Sequence, residues 1–488
     1  MTNQTVTSHA RQVGITISGS LAGFMVLLDN NIVNISLHDI AKYFDISTPL
    51  VVQVALVYLL MLSGTMIIFG KLADNYGIKR VFISGFIVFT VSSLLCGLTP
   101  TFSLLIAARI LQGIGGSMLF STMISLITKF IPPDRRGWAF GIFFPISSMG
   151  LLIGNPLGGL ITGMLSWHWI FLVNIPVGIL ATILGYKTIP ADYQNEKKPT
   201  SIKHFDYLGS LLSFFGLAMM VYFISNGKSM GWGSPLTIGG LVGSLVLITA
   251  FILWEKRSRD PILDLSIFRD RSFSYALMAS LVGYGLMAGS NVILPFYILL
   301  GLKIDVTHAG FILMTFAVVF SLSSLITGRL SDKVPRVHLT ILGMALATIS
   351  CIAFALLLPL LHLGILFGFL VMLGISYALF ITPNNNMVMS IAREDKVSIS
   401  SSVFKLSTNM GQMFGLILMQ MIFTMGIHHS PGETGFKLKS MPATELMSGF
   451  SWAYIAGAAM CVAAILFSLF IRENRLKHSE VVEHPMQG

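Results

Sequence analysis

Residues 13–37 read VGITISGSLAGFMVLLDNNIVNISL, an apolar run with one carboxylate, Asp29, inside it. About 20 consecutive apolar residues are enough for a helix to cross a bilayer. An Asp at the centre of such a span costs roughly 2.5–3.5 kcal/mol on insertion scales, so it marks a candidate functional site by default.

The whole chain agrees with a membrane-spanning reading. Of 488 residues, 54% are hydrophobic and 11% charged, against about 25% charged in soluble domains. Fourteen apolar runs can be drawn, near 13–37, 49–70, 80–99, 101–129, 138–163, 169–187, 206–226, 234–254, 273–300, 307–328, 338–358, 362–391, 397–426 and 449–471. Runs this long in lipid must satisfy their own backbone, which makes them helices. The 46 glycines suit helices that pack closely without a hydrophobic drive between them. Cys96, Cys351 and Cys461 stand singly in apolar runs and read as small core residues. The short polar leader before Val13 does not read as a signal peptide.

The net charge of +10 has a topological origin. With the N-terminus placed in the cytoplasm, 24 Lys and Arg fall in inside segments and 5 outside, leaving Arg109 and Lys405 within spans. That bias orients the chain with both termini inside. It also makes the basic balance a feature of one membrane surface, and nucleic-acid binding is not expected.

An internal repeat divides the chain. Gly70-Lys71-Leu72-Ala73-Asp74, with Gly77, Lys79 and Arg80 behind it, follows the second span; Gly328-Arg329-Leu330-Ser331-Asp332, with Lys333 and Arg336, follows the tenth. If spans seven and eight are an insertion, both copies follow the second helix of a six-helix half. Duplicated halves around a midplane site are a common transporter plan. The expected layout is an N-terminal bundle over 1–190, a linker with two extra spans over 191–272 and a C-terminal bundle over 273–488. The plainer reading is that cytoplasmic loops gather Gly, Asp and Lys by topology alone, with Asp74 and Asp332 as helix caps.

Asp29 lies eight residues before the first span ends, and Arg109 eight after the fourth begins on the same side. Each charge is therefore about 12 Å below that end, at matched depth in one half. Desolvation disfavours a carboxylate's charge and a neighbouring guanidinium favours it. A conformational change that alters their separation or hydration would load and unload a proton. The alternative is a static pair that only ties two helices together. Lys405 shares a helix face with Thr408, and either faces a cavity or snorkels to the inner headgroups. Asn31 and Asn34 share a face too. In Pro383-Asn384-Asn385-Asn386, successive residues turn 100°, so all three amides cannot face one cavity; at least one caps the proline break or bonds a neighbouring helix. Trp167 and Trp169 read as interfacial anchors. No phosphate-binding Gly-Lys-Ser/Thr loop and no metal-ligand spacing is present, so neither ATP drive nor a metal or other cofactor is expected.

These motifs together resemble the fourteen-span drug:proton antiporters of the major facilitator superfamily over almost the whole chain. Leu28 to Ile35 resembles that group's first-helix signature, and Gly70 to Arg80 the superfamily's loop motif. Ala108-Arg109-Ile110-Leu111-Gln112-Gly113-Ile114-Gly115 resembles its fourth-helix motif, whose Arg is implicated in proton transfer. Trp167 to Pro176 matches a group-typical run, with His168 where Arg is common; Phe205 to Gly209 and Pro261 to Leu265 match the flanks of the inserted helices. Two helices depart from pattern. Gly154-Asn155-Pro156-Leu157-Gly158-Gly159 has Asn in the usual proline place and its proline one residue late. The thirteenth span has Lys405, then Thr408-Asn409-Met410-Gly411, where an Asn and then an Arg-Gln pair before a Gly is common.

The expectation is an all-α two-bundle major facilitator fold, with six helices in each bundle and two more in the linker. It would export small amphipathic or hydrophobic compounds in exchange for protons, as a monomer in the plasma membrane. Asp29 would carry the proton, with Arg109 as its partner. Asn31, Asn34, Gln112, Asn155, Asn386, Lys405, Thr408 and Asn409 are the candidate cavity residues. Gly70, Asp74, Gly77, Arg80, Gly154, Pro156, Gly158, Gly159, Gly328 and Asp332 are candidates for the conformational switch. The absence of carboxylates in the C-terminal spans leans the cargo toward neutral, zwitterionic or anionic compounds. A solute carrier or facilitator of the same fold is the alternative, favoured by the altered fifth helix; a membrane sensor or lipid-acting enzyme is the other class.

Overall fold

A computed structural model describes residues 8–132, 135–190, 206–258, 268–331, 333–391, 397–427 and 443–471. These contain fourteen long helices: α1 His9–Phe44, α2 Gln53–Tyr76, α3 Ile78–Leu98, α4 Phe102–Phe130, α5 Arg136–Met164, α6 Asn174–Thr188, α7 Tyr207–Met230, α8 Pro235–Glu255, α9 Arg271–Phe296, α10 Val306–Leu330, α11 Arg336–Leu357, α12 Leu363–Ile391, α13 Val397–Gly426 and α14 Ala443–Leu469. Eleven helical segments are long and apolar enough to cross a membrane; α2 and α7 hold shorter apolar stretches. The polar residues Lys405, Asn409, Gln412 and Gln420 hold α13 below that standard. Leu322 on α10 is 60% exposed, and Leu325 and Ile326 are 70% exposed. Such a contiguous apolar surface belongs against lipid.

The helices repeat one packing plan. In the first half α1 runs along α5, α3 along α4, and α2 along α4; in the second α9 runs along α13, α11 along α12, and α10 along α12. The halves meet where α5 crosses α10, α2 crosses α13 and α1 approaches α9. This is the expected two-bundle architecture. The extra pair, α7 and α8, packs on the α2–α13 seam through α7. Asp206 accepts from Gly209 N at 2.7 Å and from Trp254 Nε1 at 2.7 Å. One carboxylate thus caps α7 and ties α8 to it, which accounts for the motif at that flank.

Close approach depends on glycine along α5. A Cβ on Gly150 would strike Phe24 O; one on Gly154 would lie 2.7 Å from Asn31 Cβ, and one on Gly158 2.7 Å from Ile32 O. Residues 150, 154 and 158 thus form a smooth stripe against α1. Gly159 faces the other bundle instead, where a Cβ would strike Val306 O of α10, and Thr307 Oγ1 donates to Gly159 O at 3.2 Å. Gly310 of α10 answers it, with Asn155 O 2.6 Å and Pro156 Cα 3.1 Å from its own added Cβ. At this end, the one away from the basic loops, the two bundles are closed backbone to backbone. At the basic end Gly77 joins α2 to α3 with φ 103, a conformation that glycine adopts without steric cost. Gly70 and Gly328 have little or nothing within 4 Å of an added Cβ. Arg80 is exposed there and Asp74 lies in the last turns of α2; Asp332 lies outside the described residues. Lys79 donates to Tyr186 O at 2.9 Å and Ile189 O at 2.6 Å, and so caps the C-terminal end of α6. Trp169 is half exposed as expected of an anchor. Trp167 is not: it is buried among Tyr43, Phe44, His168 and Phe171.

Candidate functional site

Two sites lie side by side, one sealed and one open. The sealed site is built where α1, α3 and α4 cross. Asp29 is 0% and Arg109 1% exposed. Arg109 Nη1 donates to Asp29 Oδ2 at 2.6 Å and to Gln112 Oε1 at 2.7 Å, while its Nε donates to Val54 O at 3.0 Å. Gln112 Nε2 donates to Asp29 Oδ1 at 2.9 Å and to Ser93 Oγ at 2.9 Å. Both carboxylate oxygens are therefore satisfied, one by a cation and one by an amide. Without such partners a buried pair would lose more in desolvation than it gains in attraction. The matched depth read from the sequence becomes direct contact here. Gln112 belongs to this cluster and does not line the cavity. One turn after Arg109 on α4, it faces the same neighbour as Arg109 does.

The open site is a cavity of about 210 Å³ between the bundles. Asn30, Asn31 and Asn34 of α1, Tyr284 and Asn291 of α9, and Lys405, Thr408, Asn409 and Gln412 of α13 supply its polar lining. Asn31, Asn34, Lys405, Thr408 and Asn409 are thus where the sequence reading expects them. Asn155 and Asn386 are not. Asn155 faces a smaller space with Ser290, Asn291 and Tyr377, because it lies one turn beyond Leu151, which does line the cavity, toward the end where α5 is closed against Gly310 of α10. Asn386 is exposed, and its backbone carbonyl accepts from Arg336 at 3.5 Å. The 100° turn per residue separates the three amides: Asn384 donates to Ser280 Oγ on α9 at 2.6 Å, and Asn385 accepts from Tyr284 Oη at 3.2 Å. Asn385 thereby positions a cavity wall that Asn386 does not reach.

One side chain touches both sites. Tyr58 of α2 lines the cavity, and its ring centroid is 4.2 Å from the Arg109 guanidinium carbon. Phe171 covers that carbon as well, at 5.6 Å. The Tyr58 ring is the wall between the cargo-sized space and the ion pair. Sequence reading did not single out Tyr58, Tyr284, Asn291 or Gln412. Gln412 could have been found by extending the Lys405 stripe to i+7; the others carry no local signal.

Comparison with known proteins accords with this architecture. Residues 19–416 and 275–486 match the Major Facilitator Superfamily model. A riboflavin transporter of Clostridioides difficile is 28% identical, over 92% of this chain and 96% of its own. An uncharacterized MFS-type transporter of Mycobacterium tuberculosis is 30% identical over 82% of this chain and 68% of its own, and multidrug resistance protein 3 of Bacillus subtilis 29% over 67% and 64%. Among solved structures, a bacterial homolog of the human lysosomal transporter Spinster superposes with a TM-score of 0.64 at 16% identity, over 95% of this chain and 97% of that one. With its duplicated helical plan and a family match spanning both halves, this chain belongs to the major facilitator superfamily of membrane transporters.

Proposed function

We propose that this transporter couples the entry of protons to the export of small amphipathic compounds across the plasma membrane, as a monomer with both termini in the cytoplasm. The observation that supports this best is the state of Asp29. It is a fully buried carboxylate whose two oxygens are held by Arg109 and Gln112, on the same helix that lines the cavity with Asn30, Asn31 and Asn34. Protonation of Asp29 removes the attraction that holds Arg109 to α1. The guanidinium must then find other acceptors, and Gln112 and the Val54 carbonyl already stand beside it. A helix pair that is tight in one protonation state and loose in the other gives rocking bundles a reason to follow the proton. Residues 1–190 and 273–488 would be the bodies that rock. The glycine contact of Gly159 with α10 would open as they do, with Gly154, Pro156 and Gly158 bending α5. Gly70, Asp74, Gly77 and Arg80, and Gly328 with Asp332, would close the basic end.

The test is an everted-vesicle assay. An acid-inside pH gradient is imposed and its collapse is followed on adding ethidium, riboflavin, 1-naphthaleneacetate or its amide. The reading expects at least one compound to collapse the gradient through the wild-type chain and not through Asp29→Asn. A second reading, a carrier for one polar metabolite, is favoured by the amide-rich lining and by the riboflavin transporter among the relatives. It expects riboflavin or a single such solute to move down its own gradient whatever the pH difference.

A further inference from the structure

The walls of the central cavity differ in chemical sense. On the α13 side Lys405, Thr408, Asn409 and Gln412 form one stripe at i, i+3, i+4 and i+7. Lys405 Nζ stands 4.6 Å from the centroid of the Phe120 ring on α4. That cation–π contact turns the ammonium across the cavity toward the other bundle, not along α13 toward the headgroups. Among the described residues that line the cavity there is no Asp or Glu. Asp29 is committed to Arg109 and Gln112 behind the Tyr58 ring. One turn from Lys405, Asn409 is 5% exposed and its Nδ2 has no hydrogen-bond partner among the described residues. A buried donor left without an acceptor is costly, and here it borders an open space beside a cation. The α1 wall is turned the other way. Asn31 and Asn34 each donate one amide N–H to the preceding turn, to Leu27 O at 2.8 Å and Asn30 O at 2.9 Å, and their carbonyl oxygens offer acceptors.

We infer that the cavity takes an amphipathic organic anion. Its acid group sits against Lys405 and Asn409, its apolar or aromatic body lies along Phe120 and Phe320, and its own N–H or O–H groups point to Asn31 and Asn34. The volume, about 210 Å³, is below the roughly 300 Å³ at the small end of drug-sized pockets, which suits an acid of one or two rings. The inference rests on the transporter reading above for the cavity being the cargo site, and concerns what binds there, not what drives transport.

The experiment is equilibrium binding to the full chain in lipid nanodiscs, at one pH and without any gradient. Three probes of matched size are compared: 1-naphthaleneacetate, 1-naphthaleneacetamide and 2-(1-naphthyl)ethylammonium. The acid is expected to bind at least about tenfold tighter than either of the others. Lys405→Gln removes that preference and leaves the amide within about twofold, Lys405→Arg retains it, and Asn409→Ala weakens the acid alone. Asn409→Ala carries the same test should Lys405→Gln fail to fold. Equal binding of the three, preference for the cation, or an unchanged acid affinity in Lys405→Gln or Asn409→Ala overturns the inference. Because no gradient is present, acid selectivity that survives a failure of pH-driven transport counts against the proposed drive alone. Lost selectivity beside intact pH-driven transport counts against this inference alone.

Discussion

The two bundles repeat each other in packing and differ in what their crossings contain. In the first, the α1–α4 crossing holds an ion pair with an amide bridging it: Asp29, Arg109 and Gln112. In the second, the α9–α12 crossing is held by neutral groups, Asn384 to Ser280 Oγ at 2.6 Å and Tyr377 Oη to Gly283 O at 3.4 Å. Aromatic rings fill the interior beyond them, with Phe354 stacked on Phe369 at 4.1 Å and both rings against Tyr454. The second bundle's cation within a span, Lys405, is half-buried and lines the cavity. Packing symmetry therefore does not carry chemical symmetry. One half holds a charge that can be neutralised by a proton, and the other offers a cation to the space between them.

The largest break in that comparison should come from stranding a charge. Arg109→Met leaves Asp29 buried without its cation, which costs about 3–5 kcal/mol. Asn384→Leu removes one neutral hydrogen bond and should cost only about 1–2 kcal/mol. Unfolding of the two variants in detergent measures the difference, and equal losses would mean that the first crossing is held by packing alone. Where the halves are alike the costs should match. A Cβ on Gly150 strikes Phe24 O of α1, and one on Gly415 strikes Gly285 of α9. Gly150→Ala and Gly415→Ala should each cost about 1–3 kcal/mol through overpacking, read by the same method.

The Tyr58 wall gives a finer contrast. Its hydroxyl is buried without a hydrogen-bond partner among the described residues, while its ring covers Arg109. Tyr58→Phe should change stability by less than about 0.5 kcal/mol, and Tyr58→Ala should lose the cation–π contact, worth about 2 kcal/mol when desolvated. The smallest effect lies outside the bundles. His168, in the connection between α5 and α6, is stacked on Trp167, and burial lowers its pKa from 6.5. The folded state thus favours the neutral ring. Its contribution is present above about pH 6.5 and declines as pH falls through the lowered folded value. His168→Gln should flatten that part of a melting-temperature profile and leave the rest unchanged.

How much of this was legible in the sequence depends on whether helix rotation could be read. The apolar runs and the repeated Gly-x-x-x-Asp loops announced the spans and the duplicated plan. The matched depth of Asp29 and Arg109 was legible because depth along a helix is a simple count of residues; that they touch is shown by the structure alone. Which way a side chain faces is harder in lipid, where both faces of a helix are apolar and amphipathic periodicity fades. Asn31, Asn34, Lys405, Thr408 and Asn409 were found because polar residues recur there at helical spacing. Gln112, Asn155 and Asn386 were misplaced because each is set by a neighbouring helix: Gln112 by the carboxylate it serves, Asn155 by the closure of α5 against α10, Asn386 by the turn that gives Asn384 and Asn385 to α9. Tyr58 was missed because nothing local distinguishes a tyrosine that caps a guanidinium from any other.

The central claim is that the proton rides on Asp29. It is tested most directly in proteoliposomes with wild-type and Asp29→Asn chains, using a compound that collapses the gradient in the vesicle assay. Flux driven by an imposed pH difference and exchange counterflow at equal pH are measured side by side. The account predicts that Asp29→Asn loses the pH-driven flux and keeps counterflow. Gradient-driven flux that continues undiminished in Asp29→Asn would contradict it.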